Sequence, residues 1–521
     1  MEQKRYEVEA STLFSESKIW QLNRDYYNKE GIKAWQTGTV PHYLTSNAMV
    51  GKTYAELIFG ILKDLGRMGK VHEKVYILEM GAGHGRLCFH ILLQLEKLLR
   101  TALIPLPNYC YILSDIAEDN LLFLEEHPQF LEFLEKGNLD VAFFDSSQSK
   151  KIRLRKSGID IHPQSLTQPL ITLANYLFDS LPVDLYQIKE DQLHACSVSL
   201  SSKHNPDELN EADLLEELEI DFQKKELGAA SKVYEDPVLN EILHEYREKL
   251  QDSFLFFPEK SLSCLKNLKE LSQMGLILIS MDKGYHNLHD LEGKEEPRMV
   301  THGSMSFWVN YHAFASYCKK IGGKALLPTG SSFRLELPLM LFLEEGDSFV
   351  ETQVAYQRFV NDFGPDDFNS LKRFSLKGLE KANISELLAL MRFGVYDSTL
   401  FKNILPTLKI LSGRVTFNER AHLARTMHKV WENYFIIHEP QDLAFEMASI
   451  FYTLGFYQDS LVFFKYSIQE FGYSPDTYFN SALCYYQLRE DKLFLKTVKA
   501  AKQAYPEFEK FSELDRLDLS A

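Results

Sequence analysis

The sequence predicts a layered α/β domain followed by an all-α segment. Three observations predict it. From about residue 31 to 345, short apolar runs alternate with amphipathic helical stretches. One of those runs, Val75-Tyr76-Ile77-Leu78, leads into a glycine-rich turn and then a long helix-forming stretch from Leu87. After about 346, Gly and Pro thin out and helical periodicity takes over.

The elements follow in order. Residues 1–30, mixed polar and aromatic, read as a helical extension lying on the next domain. Candidate buried strands are 75–79, 109–114, 139–144, 169–174, 185–188 and 276–281, with helices such as 87–100 and 314–320 between them. The stretch 201–226 is strongly acidic and reads as surface insertion, placed within about 201–250. Residues 346–440 read as a helical linker or cap, and 441–521 as helical repeats. A chain of 521 residues suits two or three such domains.

Composition narrows the function classes. With 57 basic and 73 acidic side chains the formal charge is −16, which disfavours a general nucleic-acid binder. The basic run 150–156 reads as a solvated loop. The six cysteines are scattered, with no CxxC, which suits a reducing compartment better than disulfides or zinc. His42, His84 and His302 lack metal-ligand spacing. The first residues do not resemble a signal or transit peptide, and no apolar stretch is long enough to span a bilayer. A cytoplasmic protein that binds neither membrane nor nucleic acid is the expectation.

A repeat can be counted near the C-terminus. Ala448 recurs as Ala482, Phe451 as Tyr485, Leu454 as Leu488, Ser467 as Ala501 and Gly472 as Pro506, each at an offset of 34 residues. Small residues let paired helices approach and the aromatic fills the gap between them. The pattern resembles the tetratricopeptide repeat over about 441–510, and such stacks present a concave surface to a protein partner.

The site candidates lie at strand ends. Glu79 closes the first strand; Gly81, Gly83 and Gly85 follow, then a helix. A strand, a glycine turn and a helix N-terminus form a site for an adenosyl ligand, because glycine lets the backbone come close to it. Asp115, after the second strand, could bond ribose hydroxyls or cap the next helix. It lies 34 residues beyond Gly81, farther than the usual ~20. Asp145, after the third, could face an adenine amino group or cap a surface turn. Asn175 and Asp179, after the fourth, could handle an acceptor: Asn175 by hydrogen bonding, Asp179 by orienting a cation or taking its proton. A turn stiffened by Pro182, with Asp179 as its cap, is the structural alternative.

The acidic strand end followed by GxGxG, with Arg86 where a dinucleotide fingerprint has its last glycine, resembles the loop of S-adenosylmethionine-dependent methyltransferases. The run ANYLFDSLPVD, from Ala174 to Asp184, resembles a motif of the MidA-like family, which includes a mitochondrial complex I assembly factor that methylates an arginine of a partner subunit. Val40-Pro41-His42-Tyr43-Leu44-Thr45-Ser46, the loop ILEMGAGHGRL, Asp282-Lys283-Gly284 and His302-Gly303-Ser304 resemble its other segments in the same order. The chain departs from the family at Tyr176, Lys283, Ser304, Trp308 and Asn310.

The resemblance covers about 35–345. It implies a Rossmann-like class I methyltransferase sheet flanked by helices, with S-adenosylmethionine as cofactor. It implies cofactor contacts at Thr45, Glu79, Gly81, Gly83, Gly85, Asp115 and Asp145, and an acceptor side at Asn175 and Asp179. The implied acceptor is a protein side chain, arginine by analogy, on a partner recruited by the helical repeats. A small-molecule methyltransferase, or a catalytically silent assembly factor that retains the fold, are the alternatives.

Overall fold

A computed structural model describes residues 5–36, 43–228, 232–297, 301–302, 304–330 and 335–517. Val40, Pro41, His42 and Gly303, which belong to segments carrying the resemblance, lie outside the described residues. The chain forms two compact units, Met1–Ser370 and Leu371–Ala521.

The first unit is built on a central sheet. Its main strands are β1 (Val75–Met80), β2 (Tyr109–Asp115), β3 (Leu139–Phe143), β4 (Leu170–Asn175), β5 (Leu276–Tyr285), β6 (Lys324–Leu326) and β7 (Leu339–Phe342), with the short strands Val309–Asn310 and Leu335–Glu336 pairing on β5. Their spatial order is β3-β2-β1-β4-β5-β7-β6. The first five run parallel, and β7 is antiparallel to both β5 and β6. Every residue of β2 is buried, the expected state of a parallel strand covered on both faces. The chain moves outward from β1 to β3, then returns to add β4 on the other side of β1. That reversal opens a crevice at the carboxyl ends of β1 and β4, where open α/β sheets bind ligands.

Helices fix the crevice walls. We label α1 (Lys18–Glu30), α2 (Ala48–Arg67), α3 (Arg86–Leu99), α4 (Glu118–Glu126), α5 (Tyr311–Lys320) and α6 (Val350–Tyr356). Asn47 caps α2 by accepting from the Met49 and Val50 amides. The buried Asp64 of α2 accepts from the Glu351 and Thr352 amides and the Thr352 hydroxyl, tying down the start of α6. Thus residues beyond 345 still pack on the α/β layer.

Three local expectations are corrected. Residues 6–13 are not helical: Tyr6–Leu13 is a strand pairing antiparallel with Gln192–Ser202, and only α1 matches the expected helix. The acidic stretch is not merely an insertion. Leu218–Leu227 also pairs with Gln192–Ser202, because Leu218, Ile220 and Phe222 alternate with acidic and polar residues. The strand Asp184–Lys189 joins this second, antiparallel sheet with Asp252–Phe257, not the central one. Phe14, Trp20, Leu200, Met305 and Phe307 fill the core on this sheet.

Among the described residues, the regular elements of the second unit are all helical. Its main helices are α7 (Ile384–Phe393), α8 (Ser398–Ser412), α9 (Phe417–Glu432), α10 (Leu443–Thr453), α11 (Tyr457–Phe471), α12 (Pro475–Gln487) and α13 (Asp491–Ala504). Ala448, Ala482, Ser467 and Ala501 are all buried, so residues 34 apart share one packing role. Ser460 of α11 donates to the Ala448 carbonyl of α10 at 2.8 Å, an approach that a small residue permits. No helix among the described residues is long and apolar enough to cross a membrane.

Candidate active site

The crevice at the β1 and β4 ends collects most of the residues singled out from sequence. Gly81, Gly83 and Gly85 all have positive φ, at 66°, 53° and 78°, so the loop doubles back in a conformation that L side chains rarely adopt. It delivers the chain into α3, with Gly85 as the N-cap.

Asp115, buried at the end of β2, braces this loop. One carboxylate oxygen accepts from the Gly83 amide at 2.9 Å and the other from the Ala117 amide at 2.9 Å. Both sequence roles put this side chain at the strand end. In this structure its oxygens serve the loop and the turn into α4. Asp145, after β3, accepts from the Ser147 amide and from the Arg24 guanidinium of α1 at 2.8 Å. It therefore caps its turn and anchors the N-terminal helix.

Glu79 is buried beneath the loop and accepts from the Tyr111 hydroxyl at 2.7 Å. Burial pushes its carboxyl up to about 8; the Tyr111 hydrogen bond opposes this and the Asp115 charge adds to it. The native state thus holds a proton on Glu79 through a range where the unfolded chain has lost it. Stability falls as pH rises from near the ordinary value of 4.5 toward 8, by about 1.4 kcal/mol per unit at most. We expect Glu79→Gln to flatten this part of the pH–stability curve and to exceed wild type at pH 8, with the gap closing toward pH 5. Chemical denaturation at several pH values measures it.

The opposite wall carries a second group. Asn175, ending β4, accepts from the Tyr54 hydroxyl at 3.3 Å and donates to the Thr45 carbonyl at 3.0 Å. Its amide therefore joins β4 to α2 and to the turn before it. Tyr176 has φ 50° and its amide bonds the Met281 carbonyl, so the chain bends sharply here. The bend brings Asp179 to Asp282 of β5. The Asp179 amide donates to Asp282 at 3.2 Å, Ser180 donates to Asp179 at 2.9 Å, and the Lys283 amide donates to Asp282 at 2.8 Å. Both carboxyls are raised, first by burial; the Asp179 charge then raises Asp282 further, while Ser180 and Lys283 lower Asp179.

Sequence reasoning missed Asp282 as a site residue, although it too is an acidic residue late in an apolar strand. It also missed Arg24 and Trp35, which lie in a stretch without a readable pattern. Trp35 covers Gly83. A methyl group built on Gly83 would lie 3.0 Å from its ring, and one on Gly81 would lie 3.1 Å from Leu177. The room that glycine provides is thus bordered by the protein's own side chains, where sequence alone pointed to a ligand.

The donor set fits an S-adenosyl ligand. Acidic side chains stand at the ends of three adjacent strands: Glu79, which keeps its proton up to about 8, Asp115, and Asp145, already paired with Arg24; the Gly81–Gly85 turn contributes backbone. Glu79, Asp115 and Asp145 are the residues that would hold it.

Residues 55–297 match the model of a family described as "Putative S-adenosyl-L-methionine-dependent methyltransferase". The stretch contains Glu79, the glycine turn, Asp115, Asp145, Asn175, Asp179 and Asp282, but not Thr45, Trp35 or Arg24. No curated protein matches the chain. Two crystal structures of superfamily proteins from Burkholderia thailandensis resemble it at 12% identity, each alignment covering 60% of this chain and 74% of the other. One is a native structure with a TM-score of 0.36; the other, bound to S-adenosyl-homocysteine, has a TM-score of 0.38. The chain carries an S-adenosylmethionine-dependent methyltransferase domain, and S-adenosylmethionine is its cofactor.

Proposed function

We propose that the protein methylates a cationic nitrogen, of the arginine type, on a protein partner held by its C-terminal helices. The observation that carries this reading is the buried Asp179–Asp282 pair at the carboxyl ends of β4 and β5. A guanidinium is planar and suits carboxylates in a two-pronged hydrogen bond. An apolar slot would suit a neutral metabolite instead.

When bound, S-adenosylmethionine supplies an electrophilic methyl group on its sulfonium sulfur. The chain's own residues do the rest. Asp179 and Asp282 hold the acceptor's cation, and one of their carboxylate oxygens takes the proton that its nitrogen loses. Their raised proton affinity suits a base working near neutral pH. Asn175 keeps β4 in register with Thr45 and Tyr54, so both walls stay fixed. The burial of these groups keeps water away from them.

The C-terminal helices support a protein acceptor. Their buried small residues recur every 34 positions, as in tetratricopeptide repeats, whose stacked hairpins bind extended segments of other proteins. With the Ala174–Asp184 run, this supports a MidA-like enzyme with an added binding arm. Methyl-labelled S-adenosylmethionine, incubated with the full chain and a cellular protein pool, tests the reading. Label in methylarginine after acid hydrolysis is the expected result. Label confined to small metabolites would overturn it.

A further inference from the structure

Part of the site comes from residues ahead of the 55–297 match. α1 spans from the acceptor side to the cofactor side. Asn23 accepts from the Met305 amide at 2.9 Å, two residues before Phe307, whose amide bonds the Asp179 carbonyl. One residue on, Arg24 holds Asp145. Past the end of α1, the short helix Lys33–Gln36 sets Trp35 against Gly83. The Trp35 ring stacks on Tyr27 at 6.2 Å and 25°, and meets the buried His84 edge-on at 5.5 Å. The indole is therefore clamped between the N-terminal arm and the glycine turn, and it is only partly buried.

We propose that Trp35 is a cofactor-binding residue, its indole forming an aromatic wall for the S-adenosyl group at Gly83. The proposal rests on the methyltransferase reading and deepens it. An indole face attracts a sulfonium cation and also stacks on a purine. Tyr27 and His84 already hold the ring, so little ordering remains to be done when ligand arrives. Gly83 serves two partners at once: its amide is fixed by Asp115, and its missing side chain leaves room for the ring. The N-terminal arm, fastened at Asp145 and Met305, is then part of the cofactor site.

Calorimetric titration of the full chain with S-adenosyl-homocysteine tests this. Trp35→Ala should weaken binding about tenfold or more, and Trp35→Phe should recover most of the loss. Ligand should also change the tryptophan emission of the wild type, and Trp35→Phe should abolish that change. Equal affinity in wild type and Trp35→Ala would overturn the proposal while leaving the methyltransferase reading intact. Tighter binding in Trp35→Ala would make the ring an obstacle and overturn it as well. If Trp35→Ala fails to fold, an emission change that persists in Trp35→Phe overturns it. A wild-type chain that binds no S-adenosyl-homocysteine at millimolar concentration would overturn the underlying reading.

Discussion

Asp282→Asn and Asp179→Asn each lower methyl transfer by about a hundredfold or more, while affinity for S-adenosyl-homocysteine stays within about threefold. The amide keeps the shape and can still accept the Asp179 or Lys283 amide hydrogen bond, so the fold survives. What it loses, on the proposed function, is the negative charge that would attract a cationic acceptor and the site that would take its proton. The two losses are strongly non-additive, because the carboxyls share their charge: the double variant is scarcely slower than the worse single one. Transfer rates on the protein pool, set beside calorimetric binding, provide the check. A double variant slower by the product of the single effects would mean that the carboxyls act separately.

The second large effect concerns the turn itself. Gly85→Val should cost about 3–5 kcal/mol, adding left-handed backbone strain to overpacking. At φ 78°, a Cβ there would lie 2.5 Å from Leu124 and 2.9 Å from Phe130. Gly137, also at positive φ (68°), has nothing near an added Cβ, so Gly137→Ala should show the backbone cost alone. Denaturant midpoints of the two variants separate strain from crowding. Equal losses would show that packing around α4 yields freely.

Much of the cofactor half is legible in the amino-acid sequence. Strong apolar runs mark β1 to β5, and Glu79, Asp115 and Asp145 stand at or just after the ends of β1, β2 and β3, where those runs stop. The glycines signal a turn with positive φ, which is a local property of the chain. The acceptor half is less legible. Asp179 meets Asp282 only because Tyr176 bends the backbone, and no spacing in the sequence encodes a contact between residues 103 positions apart. The second sheet is hidden by charge: in Leu218–Leu227 the period-two pattern is present, but its acidic outer face reads as a solvated loop. Arg24 and Trp35 act through tertiary placement, and their neighbourhood has no periodicity to announce it.

The strand Tyr6–Leu13 has a kinetic consequence. It is made well before its partner: its most closely spaced pair, Leu13 with Ser197, is 184 residues apart in the chain. At ~5–20 residues per second a ribosome needs roughly 10–40 s to deliver that partner. During this interval Phe14 and Trp20 have no sheet to cover them, so the nascent arm must stay soluble by other means. The arm that carries Arg24 and Trp35 is therefore made before the strand that seats it, and it settles only after residues 192–202 have emerged.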